Sequence, residues 1–170
     1  MLCYVKGEIV VLTCKSNLKF LCSKVETILL DGTFSMAPKY FTQMYHFCGM
    51  YKNYYNPLVT VLLKDKTADT YCKMWDFFLE LCDTEAGLVF APKTALFDFE
   101  YAATNEFKKK CPDTKVKCCT FHLGQSFNRS VAKVGLSTEY KTNGSEVGTW
   151  LIYFLGLSFL EPKEVEDALN

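Results

Sequence analysis

Apolar and polar positions follow two different periods along this 170-residue chain, and the switches between them mark its elements. Val25, Ile28, Leu29 and Leu30 form a short apolar run that stops at Asp31-Gly32, a turn signal. The run predicts a buried strand over residues 25–31 with Asp31 at its carboxyl end. Residues 41–51 and 58–63 are rich in aromatic and β-branched side chains and flank the polar stretch Lys52-Asn53-Tyr54-Tyr55-Asn56-Pro57. That pattern predicts an antiparallel hairpin with a longer loop. Within the first of these strands His46 alternates with Met44, Cys48 and Met50, which reads as a hydrogen-bonded, semi-buried histidine.

The period then becomes helical. Tyr71, Met74, Trp75, Phe78, Leu79 and Cys82 recur at helix spacing behind Thr67, an N-cap residue, with Asp69 in the first turn. Lys73, Asp76 and Glu80 take the other face, so this helix packs on the sheet. Residues 94–98 form a second short strand ending in a carboxylate, Asp98. The helix expected over 100–110 carries Glu100 at its start and Lys108, Lys109 and Lys110 at its end, an order that suits the helix dipole. Pro112 stops that helix, residues 115–119 are strand-like, and Leu123, Phe127, Val131 and Val134 mark another helix closed by Gly135. After a polar, turn-rich stretch, residues 147–160 read as a largely buried helix, and Pro162 fits the first turn of a final one. Strands in series followed by alternating helices and strands give an α/β fold, a mixed sheet with flanking helices.

With 49% hydrophobic residues the chain can build a core, and one globular domain is the expectation. Basic and acidic residues balance at 19 each, so no overall field draws the chain to nucleic acid or to an anionic membrane, and any DNA contact must be local. The densest basic patch, Lys108 to Lys110 with Lys115 and Lys117 nearby, is either a solvated helix end or a track for a phosphate backbone. Nine cysteines with no Cys-x-x-Cys pair read as reduced thiols of an intracellular protein, which makes the sequons at Asn128 and Asn143 chance matches. The apolar run over 150–160 is interrupted by Gly156 and Ser158 and falls short of the ~20 residues that span a bilayer. Lys6 and Glu8 break up the only candidate leader, so no signal peptide is expected.

Two carboxylates at the carboxyl ends of strands are where an α/β sheet gathers its ligands. A paired site of this kind suits Mg²⁺ or Mn²⁺, which can activate water and stabilise the leaving oxygen in phosphodiester cleavage. The other reading open for the same residues is that Asp31 caps the Gly32 turn and Asp98 the following helix. Cys119 and His122 offer two soft ligands, yet a structural zinc site needs four and no second pair is evident. His122 shares a polar helix face with Ser126, Arg129 and Lys133, opposite Leu123, Phe127 and Val131, and that face could meet phosphate. No Gly-Lys-Ser/Thr phosphate loop, Gly-x-Ser-x-Gly or His-Glu-x-x-His occurs, which removes the main signals for nucleotide triphosphatases, serine hydrolases and zincins.

Taken in order, Asp31-Gly32-Thr33-Phe34, Ala37-Pro38, Gln43-Met44, Pro57-Leu58, Leu63-Lys64, Tyr71, Asp98-Phe99-Glu100, Cys119-Thr120-Phe121-His122, Phe159-Leu160 and Pro162 resemble the transposase domain of Mutator-like elements, over roughly residues 10–170. The resemblance implies a ribonuclease-H-like fold in which Asp31 and Asp98 are the first two catalytic acids. They would hold Mg²⁺ or Mn²⁺ for cleavage and transfer of DNA strands. It also implies transposon-end DNA as partner, a nuclear location and a homo-oligomer, with Cys119 and His122 beside the site in an unassigned role. Lys108, Lys109, Lys110, Arg129 and Lys133 are the candidate DNA contacts.

The third acid of such a site is a glutamate on a later helix. Glu161, Glu164, Glu166 and Asp167 are available, and none is assigned. The expected organisation is an extension over residues 1–20, the transposase core over 21–138, and over 139–170 the beginning of a helical region that continues beyond the chain. Such a piece is expected to be inactive alone. The alternative is a non-catalytic, domesticated or relic module that binds DNA or protein.

Overall fold

Alternating burial along each strand builds one seven-stranded mixed sheet in the order β1-β2-β5-β4-β3-β6-β7. The structure is a computed structural model that describes residues 2–169. The strands are β1 (Leu2–Lys6), β2 (Ile9–Thr13), β3 (Thr27–Thr33), β4 (Gln43–Tyr51), β5 (Tyr54–Leu63), β6 (Thr94–Phe97) and β7 (Lys115–Cys118). Pairings among β1 to β5 are antiparallel, whereas β6 runs parallel to β3 and β7 parallel to β6. Two parallel crossovers carry the helices α2 (Ala68–Leu81) and α3 (Tyr101–Lys110). The chain divides after Cys118 into two compact units, the first containing the whole sheet.

The core of the first unit lies against the face that carries Ile28 and Leu30, Tyr45 and Phe47, Val59 and Val61, and Ala95 and Phe97. Onto it α2 lays Tyr71, Met74, Trp75 and Phe78. An aromatic column runs through this layer, with Phe47 stacked on Trp75 at 4.9 Å, Trp75 tilted against Phe107 at 5.0 Å and Phe107 tilted against Phe97 at 5.1 Å. Such pairs add about 0.5–1.5 kcal/mol each to the burial of their area. The helix starts as its sequence predicts, the Thr67 hydroxyl accepting a bond from the Thr70 amide.

Residues 2–24 are part of this sheet and core. β1 and β2 form a hairpin whose second strand pairs with β5, and α1 (Lys15–Lys24) buries Leu18 and Leu21. The expected long loop at 52–57 is instead a two-residue turn. Lys52 and Asn53 both take positive φ, 50° and 67°, the conformation of a tight hairpin turn, and residues 54–57 join the strand. The ladder then shifts register at Phe47/Cys48, leaving Leu58 without a residue opposite. Its carbonyl accepts instead from the Thr13 hydroxyl and the Asn17 amide, each at 2.9 Å, which fastens α1 to the sheet.

The second unit holds α4 (Thr120–Lys133), α5 (Ser137–Lys141), α6 (Glu146–Gly156), short 3₁₀ turns over Leu157–Phe159 and Pro162–Glu164, and α7 (Val165–Leu169). The expectation of a buried helix over 147–160 does not hold. Gly148 is the only buried residue of α6, while Trp150, Ile152 and Tyr153 are 64%, 56% and 70% exposed. The physical reason is size, since a helix apolar all round needs neighbours on every side and α5 is only five residues long. No helix among the described residues is long and apolar enough to cross a membrane.

Candidate active site at the carboxyl edge of the sheet

The register of β3 against β6 brings the two predicted carboxylates side by side. These strands pair from Thr27↔Thr94 to Leu30↔Phe97, so Asp31 in β3 and Asp98, the first residue after β6, each follow the last pair. Adjacent strands lie about 4.8 Å apart, which makes the two aspartates close neighbours at one edge. Asp31 is half-buried, and its cross-strand partner on β4 is His46. His46 behaves as its alternation predicts, semi-buried with Nδ1 at 3.0 Å from the Thr60 hydroxyl.

Asp98 stands where β6 gives way to α3, and its Oδ1 accepts a 3.0 Å hydrogen bond from the Glu100 amide. The carboxylate therefore organises the turn before α3 without capping that helix, whose N-cap residue is Glu100. Glu100 makes no side-chain cap bond. Burial pushes its carboxyl pKa up, with Asp98 adding to the shift and the Lys66 ammonium opposing it. Lys66 also lies over the Phe34 ring at 5.3 Å, so one cation links the loop after β3 to the 98–100 turn.

Beneath these acids is a buried polar cluster. A β-carbon at Gly32 would overlap the Gln43 side-chain amide and approach the Tyr45 ring to 3.3 Å, which is why the Asp-Gly pair needs its glycine. Gln43 is fully buried, and its Oε1 accepts the Tyr71 hydroxyl at 2.9 Å. The Tyr45 and Tyr71 rings are 5.8 Å apart. Burial raises the pKa of the Tyr45 phenol well above normal, and the charges of Asp98, Glu100 and Asp31 push it the same way. Gln43 was legible only as a motif position without a role, Tyr71 as a motif position on the apolar stripe of its helix, and Tyr45 only as part of the strand over 41–51.

The lysines do not join the acids. Lys108, Lys109 and Lys110 occupy the last turn of α3, and Glu100 precedes its first. Ten residues of helix separate the two ends by about 15 Å. Two of the three lysines are already paired, Lys109 with Glu106 and Lys110 with Asp76, each at 2.5 Å. Lys115 and Lys117 lie on β7, Lys115 opposite Thr94 at the far end of β6 from Asp98. A cavity of about 390 Å³ lies along the hairpin β1–β2 and α2, lined by Lys6, Glu8, Lys64 and Lys73. Those lysines pair with Glu80, Glu8 and Asp69, and none of the predicted site residues lines it.

In the second unit Cys119 is the N-cap of α4 and makes no side-chain cap bond, and His122 lies in its first turn with its ring 5.6 Å from Phe121. Arg129 and Lys133 are exposed on the same helix, Arg129 bonding Gln125 at 3.4 Å. Of the late acids, Glu161 and Glu164 form a capping box around Pro162, which gives them a local job. Among the described residues no group of three or more His, Cys, Asp or Glu is arranged to hold a metal ion.

Residues 27–126 match the family model of the MULE transposase domain, which is more than half of the 170 residues. The chain belongs to the MULE transposase family. The matched stretch of this MULE transposase domain opens at the first residue of β3, takes in β4 to β7 with α2 and α3, and ends inside α4, so it contains both aspartates and the Cys119-x-x-His122 motif. No curated protein and no solved structure matches the chain.

Proposed function

We propose that this chain is the catalytic-core part of a Mutator-like DNA transposase with a ribonuclease-H-like sheet, in which Asp31 and Asp98 hold Mg²⁺ or Mn²⁺ for DNA strand cleavage and transfer. The observation that carries the reading is the register that sets Asp31 and Asp98 one residue past the last pair of the parallel strands β3 and β6, inside a matched transposase domain. A sheet that runs antiparallel through β5, β4 and β3 and parallel through β6 and β7 supports the ribonuclease-H-like assignment. Two carboxylates are hard oxygen donors that fit Mg²⁺ or Mn²⁺, which take few protein ligands and complete their shell with water and phosphate. When bound, such ions activate water and offset charge on the leaving oxygen.

The protein's own contribution at this edge is positional. The Asp98 carboxylate is oriented by the Glu100 amide, and Asp31 is held in the β3–β4 ladder opposite His46, one residue past the last β3–β6 pair. Transposon-end DNA, assembly with a second copy and action in the nucleus follow from the same reading. The third acid is not assigned, so Asp31 and Asp98 are expected to be inactive alone.

The test is Mn²⁺-dependent nicking of a terminal-inverted-repeat duplex by a chain extended past Asn170 to supply the third acid, and by its Asp31→Asn and Asp98→Asn variants. Each variant is expected to lose more than the roughly 10- to 100-fold typical of a merely supporting residue. Undiminished nicking by Asp98→Asn overturns the catalytic assignment. A second reading, a non-catalytic module that keeps the fold and binds DNA or protein, is favoured by the absence of a three-residue metal-ligand group among the described residues. It predicts no nicking and duplex binding that is unchanged in both Asn variants.

A further inference from the structure

Both strands that lead to the acids run on into an exposed aromatic ring. Phe34 is the first residue after β3 and is 46% exposed, and Phe99 follows Asp98 and is 43% exposed. β3, β5 and β6 all end at this edge of the sheet, so both rings and the segment after β5 share it with Asp31 and Asp98. A single exposed apolar side chain is ordinary, but Phe34 is fastened in place. Its carbonyl accepts from the Ala37 amide at 3.2 Å, the Phe41 amide donates to the Pro38 carbonyl at 2.8 Å, and the Thr42 amide donates to the Leu63 carbonyl at 2.9 Å. The loop after β3 is therefore folded into two turns and tied to the end of β5, where the Thr42 hydroxyl also donates to the Lys64 carbonyl.

The same ties bring up a cation. The Asp65 carboxylate accepts from the amide and the hydroxyl of Thr67, at 3.0 and 2.8 Å, which fixes the turn that carries Lys66 into α2. Lys66 forms no ion pair among the described residues, and its ammonium lies over the Phe34 ring, 5.3 Å from the centroid. A ring and a cation held together offer the two groups that grip a nucleotide, a π face for the base and a positive charge for the phosphate. Asp31, Asp98 and Glu100 repel a phosphate approaching this edge, and a lysine fastened at the same edge counters them. In a duplex the bases are stacked on one another, so the ring can receive only a base that has left the stack.

We infer that Phe34 and Lys66 form a clamp for an unpaired nucleotide at the rim of the acid pair: the base stacks on Phe34, and Lys66 turns from the ring to the adjoining phosphate. An exposed cation–π contact is weak, so the ammonium is easily released to the stronger charge. Because both groups are already held by backbone bonds, little ordering accompanies binding. The clamp rests on the proposed function for the identity of its ligand as DNA, and it makes the substrate a strand opened beside the cleavage point.

The experiment measures, by fluorescence anisotropy in EDTA, binding of the chain to a labelled oligothymidylate and to a duplex closed at both ends. Phe34→Ala is expected to weaken oligothymidylate binding about tenfold, within the range of one lost base–aromatic stack, and duplex binding by less than about twofold. Phe34→Trp is expected to keep the affinity, with its indole fluorescence quenched when the oligothymidylate binds. Lys66→Gln is expected to lower the slope of log affinity against log salt by about 0.7, the value for one phosphate on a single strand. Tyr54→Ala, which removes an exposed ring from the β4–β5 hairpin at the other end of the sheet, is expected to change neither affinity. Equal losses on both DNAs, no loss on either, or an unquenched Phe34→Trp overturns the clamp, and the Trp variant decides the matter if Phe34→Ala does not fold.

The two failures are separable. Oligothymidylate binding that depends on Phe34, in a chain whose extended form does not nick DNA, defeats the catalytic reading and leaves the clamp. Nicking that is lost in Asp31→Asn, with oligothymidylate binding indifferent to Phe34, defeats the clamp and leaves the proposed function standing.

Discussion

The two tryptophans of the chain show how differently its two units are held together. Trp75 is fully buried between Phe47 and Phe107 in the sheet unit, whereas Trp150 is 64% exposed on α6 and stacks on Phe154 at 5.7 Å. Both residues lie on helices with apolar neighbours, so composition does not separate them. What separates them is the partner surface. The sheet offers α2 a broad apolar face, while α6 meets a five-residue α5 and buries only Gly148, whose missing β-carbon lets the Glu139 carbonyl approach. Apolar content becomes stability only where a second layer exists to receive it.

The contrast can be broken most directly at its centre. Trp75→Ala should lower the free energy of unfolding by about 3–5 kcal/mol, measured by urea denaturation, because it opens a cavity inside the aromatic column. A loss below about 1 kcal/mol would mean that the sheet unit is no better packed than the helical one. Gly32→Ala should cost about 1–3 kcal/mol by forcing the Gln43 amide and the Tyr45 ring aside. Adding Gln43→Ala should recover part of that loss, a coupling that a double-mutant cycle detects.

Thr67→Ala should cost about 1 kcal/mol through loss of the cap on α2. The smallest effect sharpens the other side of the comparison. Trp150→Ala and Tyr153→Ala should change stability by no more than about 0.5 kcal/mol, since both side chains remain largely in solvent. A larger loss in either would show that α6 has a partner surface of its own.

Local signals were strongest where the chemistry is local. The period of Tyr71, Met74, Trp75 and Phe78 and the Thr67 cap located α2 to within a residue of each end, because spacing and capping depend only on near neighbours. The strands before Asp31 and Asp98 were legible for the same reason, but β3 does not stop at Asp31: it runs on to Thr33, so Asp31-Gly32 lies inside the β3–β4 ladder and is not a turn. The hairpin turn at Lys52 and Asn53 was not, since neither residue is the glycine that normally signals positive φ there. The exposed face of α6 was misjudged because an apolar run does not say whether anything covers it.

The amino-acid sequence by itself determined which residues carry the chemistry: two aspartates after apolar strands, a Cys-x-x-His motif and a family pattern strong enough to be read in order. The tertiary structure decided what those residues can do together. Register, a property of pairing between segments 67 residues apart, makes Asp31 and Asp98 neighbours. The length of α3 moves the lysine cluster away from them, and its ion pairs neutralise most of it. The close fit under Gly32 packs Gln43 and Tyr45 against β3. Each of these outcomes depends on long-range packing, and no local period in the chain encodes it.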